Sequence, residues 1–357
     1  MTGEKVKKSR LRLIAVGALA AVLGLSMAAC SSASPPNSTA SAAKAPVKLT
    51  FQLNYTPNAA FAPYVVAQEK GYFKKEGLDV TMLQGTGSGG ALKAIAAGQA
   101  DVAIADSGVM VNAVQGGGKF TMIQMLADTG VQNVYTRAGS GINKMKDLVG
   151  KTIGAAPDDA GRLLMPAVAA AQGFDVNKID WVDVPAATKY SLLASGKIDA
   201  IFDIAQNAPL VYQALGGQAK TKKFSFASSG INIYSQGIVV TNERLAKDSD
   251  AFERFSYAIR EGWAYAIKNP EGAMKIYHAA FPSVDIPSGV ETLKIWASLM
   301  ETKNYKTNGI GWIDESRWIS TVDTVQKYFA IPAGGSPISE ASSLFTDKLL
   351  KRKVALP

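Results

Sequence analysis

Residues 84–106 read QGTGSGGALKAIAAGQADVAIAD, and the second half of that stretch returns at 193–203 as LASGKIDAIFD. Each copy ends an apolar-periodic helix on a glycine, Gly98 or Gly196, a residue suited to the left-handed C-cap conformation. A turn acid follows, Asp101 or Asp199, and then a short apolar strand that finishes on Asp106 or Asp203. The echo predicts two lobes of like construction. Helix-to-strand joints converge on such patterns in many folds, so the rest of the chain has to carry the assignment too.

From Val47 onward, apolar runs alternate with helical patterns, the grammar of an α/β fold with mainly parallel sheets and helices on both faces. Strands are predicted at 48–53, 79–83, 102–105, 151–155, 179–184 and 200–202, with helices at 62–75, 91–97, 161–172 and 189–194. The unbroken apolar run 102–105 suits a strand covered on both faces. A further strand at 231–241 precedes an almost wholly helical tail from Glu243. If that strand returns to the first lobe, 47–138 and 234–357 form lobe 1 and 139–233 is an inserted lobe 2. Two crossings, near 135–141 and 230–236, then make a hinge, and the cleft between the lobes is the ligand site.

The N-terminus describes a destination. Lys5, Lys7, Lys8, Arg10 and Arg12 precede a small-apolar run from Leu13 to Ala29, which ends at the only cysteine, Cys30. Residues 1–29 read as an export signal. LSMAAC at 25–30 resembles a bacterial lipobox, with Met27 where leucine is usual. Lipidation of Cys30 would anchor the chain in the cell membrane, on its extracytoplasmic face. The segment 30–46, without aromatics or large aliphatics, reads as a flexible tether. Loss of the signal removes five cations and Glu4, so the net charge drops from +9 to +5. No Lys/Arg run with interleaved aromatics points to nucleic acid, and the body is expected to be a monomer without disulfides.

Catalytic motifs are thin. The sole histidine, His278, sits in a helical stretch far from any nucleophile motif, and no G-x-S-x-G, H-E-x-x-H or Cys/His metal spacing occurs. No enzyme activity, cofactor or metal is expected. Gly85, Gly87 and Gly90 do spell G-x-G-x-x-G between strand and helix, with Asp106 ending the next strand as in a dinucleotide site. A nucleotide-dependent enzyme is therefore the rival reading, though an exported protein meets no nicotinamide pool. Glycines at a helix start also let backbone N–H groups approach a carboxylate, sulfonate or ring carbonyl, which makes Gly87 and Ser88 candidate ligand contacts. A plain turn capped by Ser88 is the alternative.

The other candidates cluster at strand and helix ends. LNYTPNAAF at 53–61 places Asn54, Tyr55, Asn58 and Phe61 beyond the carboxyl end of a strand, where parallel sheets hold ligands. The two rings can stack on a flat molecule, and an amide both donates and accepts. In AAPDDAGR at 155–162, Asp158 is a candidate contact, while Asp158 or Asp159 as a helix cap is the alternative. Arg162 either neutralises an anion or lies solvated. Asp106 and Asp203 either accept ligand N–H groups or cap turns, and Tyr234 and Gln236 stand on the returning strand.

Taken together, LNYTPNAAFAPYVVAQEKGYFKKEGLDV, GQADVAIAD, DLVGKTIG, LLASGKIDAIFD and GIVVTNERLAKDSDAFERFSYAIREGWAYAIKNPEGA resemble the nitrate/taurine/thiamine-precursor family of ABC-transporter substrate-binding proteins. The tail ISEASSLFTDKLL is similar too, and the match spans nearly all of 48–350. The resemblance implies a type II periplasmic-binding fold that closes on a small solute and delivers it to a permease driven by a cytoplasmic ATPase. It maps family binding residues onto Asn54, Tyr55, Asn58 and Phe61, and onto Asp106 and Ser107. An aminopyrimidine thiamine precursor or another flat heteroaromatic is the first ligand class; an aliphatic sulfonate, nitrate or carboxylate is the second. A sensor that signals closure to another partner is a third possibility. Aminopyrimidine-binding members often carry tryptophan at the Tyr55 position and a histidine shortly after the Asn58 position; here Ala59, Ala60 and Phe61 follow. Fungal synthase relatives use an active-site histidine and a cysteine-rich iron segment, and this chain has neither.

Overall fold

A computed structural model describes residues 45–357; the segments expected to be an export signal and a tether, with Cys30, lie up to residue 44 outside the described residues. The strands are β1 (Val47–Gln52), β2 (Leu78–Leu83), β3 (Val102–Asp106), β4 (Phe120–Met125), β5 (Gln132–Arg137), β6 (Thr152–Gly154), β7 (Asp180–Val182), β8 (Ala200–Ile204), β9 (Thr221–Ser225) and β10 (Gln236–Thr241). They form two five-stranded sheets, ordered β2-β1-β3-β10-β4 and β7-β6-β8-β5-β9. In each sheet four strands share a direction and one opposes them: β10 runs antiparallel to β3 and β4, and β5 to β8 and β9. The opposing strand is in each case the one that follows a crossing between the sheets.

The first crossing comes earlier than the apolar pattern suggested. β5 pairs wholly within the second sheet, so the chain crosses between Met125 and Gln132, and residues 132–138 belong with lobe 2. β5 (QNVYTR) was hidden because its polar residues interrupt the apolar run, although Asn133 and Thr136 are as buried as Val134 and Tyr135. β4 and the lysine-bearing edge strand β9 escaped prediction for the same reason. The second crossing ends at β10, and residues 231–235 are not part of the strand. The helix expected over 62–75 is two, Ala62–Glu69 and Tyr72–Lys75, divided at Gly71 with φ of 70°.

The echoed segments perform the same local task. Gly98 and Gly196 both take left-handed conformations, with φ of 68° and 77°. Asp101 Oδ2 then accepts from the Thr50 backbone N–H at 2.7 Å, and Asp199 Oδ2 accepts from that of Thr152 at 3.0 Å. Each turn acid thus reaches over to the neighbouring parallel strand and satisfies a backbone donor there. An arginine backs each acid: Arg244 lies 2.9 Å from Asp101 and Arg137 3.7 Å from Asp199. The hydrophobic work is done behind the sheets. In lobe 1, Phe51 of β1 meets Tyr64 and Phe255 edge-on, and Tyr64 meets Trp263, all fully or almost fully buried.

Because these acids hold a strand in place through a half-buried charged hydrogen bond, Asp101→Ala and Asp199→Ala should each cost roughly 1–3 kcal/mol. Urea midpoints check this, and an unchanged midpoint in both variants would refute the shared role.

Candidate ligand-binding cavity

Both sheets end on one cavity of about 500 Å³, part of it open to solvent. From lobe 1 the loop after β1 supplies Asn54, Tyr55, Asn58 and Phe61, and the start of the helix Ser88–Ala96 supplies Gly87 and Ser88. From lobe 2 come Gln132 at the start of β5, Asp159 and Ala160 at the start of the helix Ala160–Gln172, and Phe202 and Asp203 of β8. Lys189 and Asn207 complete that wall, and Gln236 of the returning strand reaches the cavity from the hinge side. Of the candidates named from the sequence, the structure brings Asn54, Tyr55, Asn58, Phe61, Gly87, Ser88, Asp203 and Gln236 together around this cavity. Sequence reasoning passed over Lys189, Gln132, Phe202 and Asn207, since nothing local separates a functional lysine at a helix start from a solvated one.

A buried ion pair organises the lobe 2 wall. Lys189 Nζ lies 2.8 Å from Asp203 Oδ2, with side chains 5% and 4% exposed, and donates to the Phe202 carbonyl at 3.1 Å. Tyr190 donates its hydroxyl to the same Asp203 oxygen at 2.6 Å. The other oxygen accepts from the Ile204 N–H and the Asn207 amide, both at 2.8 Å. Burial works against the Lys189 ammonium, but Asp203, Tyr190, Tyr55 and Asp159 outweigh it, so the lysine titrates well above its ordinary value. The ammonium also stands 4.9 Å from the centre of the Tyr55 ring, a cation–π contact across the cavity. Burial pushes the Tyr55 phenol up to about 12 against the pull of Lys189, so it remains a neutral donor.

Lobe 1 contributes a neutral network. Asn54 donates to Gln236 Oε1 at 2.9 Å, while the Ser88 hydroxyl accepts from the Asp106 N–H at 3.0 Å. Asn58 lines the cavity but spends its amide locally: Oδ1 accepts from the Ala60 N–H and Nδ2 donates to the Thr56 carbonyl, each at 3.0 Å. Its role is to cap the turn Ala59–Phe61 and hold the Phe61 ring at the wall. Four other candidates fall outside the wall. Asp158 faces outward to Lys93, and its neighbour Asp159 holds the inward position. Asp106 caps the helix Ser107–Gln115 through the Gly108 N–H and receives Gln132 Nε2 at 3.4 Å. The Ser107 hydroxyl donates to the Tyr234 carbonyl at 2.6 Å, and the Tyr234 hydroxyl accepts from the Asp314 N–H. These three tie the crossings together instead of facing the cavity, because the strand end that points at the cleft in β8 points at the hinge in β3. Arg162 pairs with Asp183 and lies over Trp181.

The dinucleotide resemblance of the glycine run dissolves in this geometry. A Cβ on Gly85 would overlap the Leu53 carbonyl, and one on Gly87 the Asp158 carbonyl; the glycines make room for protein backbone. His278 Nδ1 is 2.8 Å from the Val284 carbonyl, on a helix remote from the cavity wall. Among the described residues, no group of three or more His, Cys, Asp or Glu side chains is placed to hold a metal, and no helix is long and apolar enough to cross a membrane.

Two mixed α/β lobes joined by two crossings over a shared cavity define the periplasmic-binding-protein fold. The alkanesulfonate-binding protein SsuA from Xanthomonas axonopodis pv. citri has this fold; it superposes with a TM-score of 0.64 at 12% identity, over 84% of this chain and 98% of SsuA. The NMT1/THI5-like family model matches residues 58–273, and the chain belongs to that family. The riboflavin-binding protein RibY of Chloroflexus aurantiacus is 25% identical over 330 residues, 87% of this chain and 91% of RibY. The formylaminopyrimidine-binding protein of Halalkalibacterium halodurans is 24% identical over 314 residues, 84% and 94% of the two chains. A Saccharomyces cerevisiae 4-amino-5-hydroxymethyl-2-methylpyrimidine phosphate synthase, THI13, is 28% identical over 241 residues, 64% and 70% of the two chains.

Removing Lys189 alone leaves a buried carboxylate without its cation, so Lys189→Met should destabilise the fold by roughly 3–5 kcal/mol. Lys189→Met combined with Asp203→Asn should recover a large part of that loss in the same denaturation assay; an equal loss would show that packing, and not charge, sets the cost. A second expectation concerns Asp106, whose carboxyl burial pushes up to about 7 against the hydrogen bonds from Gln132 and Gly108. Its unfolded value is about 4, so its contribution to stability is complete below pH about 4 and is lost as pH rises through about 7. Asp106→Asn keeps the cap. The variant should therefore gain stability relative to wild type progressively from pH 4 to 7, read from melting temperatures across that range.

Proposed function

We propose that the protein is an extracytoplasmic solute receptor that captures a small, flat, nitrogen-bearing heteroaromatic in the interlobe cavity and hands it to an ABC permease. The observation that carries the ligand class is the state of Lys189, the one cation that lines the cavity among the described residues. The Lys189 ammonium is committed to Asp203, and Asp159 adds a second carboxyl to the same wall. One ammonium against two carboxyls leaves a wall that repels nitrate, sulfonate or carboxylate, each of which would have to draw Lys189 away from its partner. A neutral or protonated amino-substituted ring meets acceptors instead, with Tyr55, Phe61 and Phe202 supplying aromatic surface. Burial raises the Asp159 carboxyl above its ordinary value, and the nearby Lys189 offsets that only in part.

The relatives support the same class, since RibY and the formylaminopyrimidine-binding protein are named for nitrogen heterocycles. The neighbour named for an alkanesulfonate shares the fold at 12% identity. A receptor works here by differential binding: a ligand that touches Tyr55 on one lobe and Asp159 on the other stabilises the closed arrangement only. Export through residues 1–29 and anchoring at Cys30 fit that role. A synthase role, which the yeast relatives would suggest, has less support, because among the described residues the cavity wall offers no histidine or cysteine.

The test is a thermal-shift panel on the purified protein. 4-Amino-5-hydroxymethyl-2-methylpyrimidine should raise the melting temperature, reflecting about 2.7 kcal/mol at one hundred times its Kd, whereas nitrate and taurine should not. Asp159→Asn, which keeps the helix cap, should weaken the pyrimidine by roughly 10- to 100-fold, the worth of a charged hydrogen bond. Stabilisation by the anions and not by any ring would overturn the ligand class.

A further inference from the structure

Three glycines of GTGSGG face one residue of the opposite lobe, Asp158. The Gly89 N–H donates to the Asp158 carbonyl at 3.3 Å. A Cβ on Gly87 would overlap that carbonyl, one on Gly89 would sit 2.9 Å from Asp158 Oδ1, and one on Gly90 3.6 Å from Oδ2. Lys93, one turn along the same helix, places Nζ 2.8 Å from Oδ1. Gly89 and Gly90 do not need to be glycine for their own backbone: both lie inside the helix Ser88–Ala96, and neither has a positive φ. Glycine there weakens the helix relative to alanine. At Gly90 the Thr86 hydroxyl of the same loop, 3.0 Å from such a Cβ, already favours glycine, whereas at Gly89 the crowding comes from Asp158 and Leu163 of the second lobe.

We propose that Asp158 and the glycine loop form a catch between the lobes, at the rim of the cavity, and that this catch sets the fraction of molecules in the closed, binding-competent state. Asp158 is thus a positioning residue for binding. The contact sits on the cavity rim: Gly87 and Ser88 line the cavity on one side of it, and Asp159 on the other. Apparent affinity scales with the competent fraction, so loosening the catch weakens any ligand without touching its contacts. The catch itself is a protein–protein contact within the chain and is testable without a ligand; only its effect on affinity rests on the receptor reading.

The decisive variant is Gly89→Asp. An acid in the first turn suits the helix itself, but here it is directed at Asp158. In the full chain, hydrogen exchange should quicken several-fold at segments 87–92 and 156–163, while β1 and β3 keep their protection and the melting temperature does not fall. Adding Asp158→Asn removes the charge repulsion and leaves the backbone carbonyl that the residue 89 N–H bonds, so it should restore part of the protection. Lys93→Glu, at an exposed position, should loosen the same segments more weakly. Binding of 4-amino-5-hydroxymethyl-2-methylpyrimidine should weaken about 5- to 10-fold in Gly89→Asp and recover in part in the double variant. Unchanged exchange at both segments in Gly89→Asp and Lys93→Glu, or failure of Asp158→Asn to rescue, overturns the catch. Altered exchange with no pyrimidine binding to any form supports the catch and counts against the ligand class alone.

Discussion

The structure depends on one knot of hydrogen bonds where the chain passes between its two sheets. Asp106 and Ser107, at the junction of β3 with the following helix, hold both crossings at once. Ser107 bonds the carbonyls of Tyr234 and Ser235 just before β10, and Asp106 receives Gln132 at the start of β5. Leu126, leaving β4, donates to the Gln236 carbonyl and closes the arrangement. Each sheet accepts one strand that runs against its neighbours because the chain enters that sheet from the other lobe. The cavity is a consequence: strand ends of both sheets point into the space that the two crossings bridge.

Within that space the electrostatic choice has been made by the protein. A lysine buried to 5% exposure needs a counter-charge, and Asp203 provides one within an otherwise complete set of partners. The two echoed strand ends differ as a result. Asp106 in β3 is buried among backbone donors at the crossings, while Asp203 in β8 holds the cation that faces Tyr55. One local sequence unit thereby yields a contact at the crossings in one lobe and part of a cavity wall in the other.

The glycine run has a similar history of use. Its spacing matches a phosphate-binding turn, and its position before a helix start is as that motif requires. The atoms it accommodates are those of Leu53 and Asp158, so the close approach it permits is between segments of the same chain. A motif that licenses backbone contact specifies nothing about which backbone or ligand arrives.

Local rules made much of the fold readable from the sequence. Apolar runs marked seven of the ten strands among the described residues, including 231–241 in its second half, and the C-cap glycines and turn acids of the echo took up the geometry their residue types favour. The loop after β1 was readable as lining a cleft, since the carboxyl ends of parallel strands open onto one. Legible in the linear pattern is therefore whatever acts over a turn or a strand: periodicity, caps and repeated units. Tertiary structure alone decided that β5 belongs to lobe 2, that Lys189 meets Asp203 across 14 positions, and that Asp159 and not Asp158 faces inward. Those outcomes depend on which distant groups share a low-dielectric space, and a linear pattern carries no information about that neighbourhood until the chain has crossed and closed.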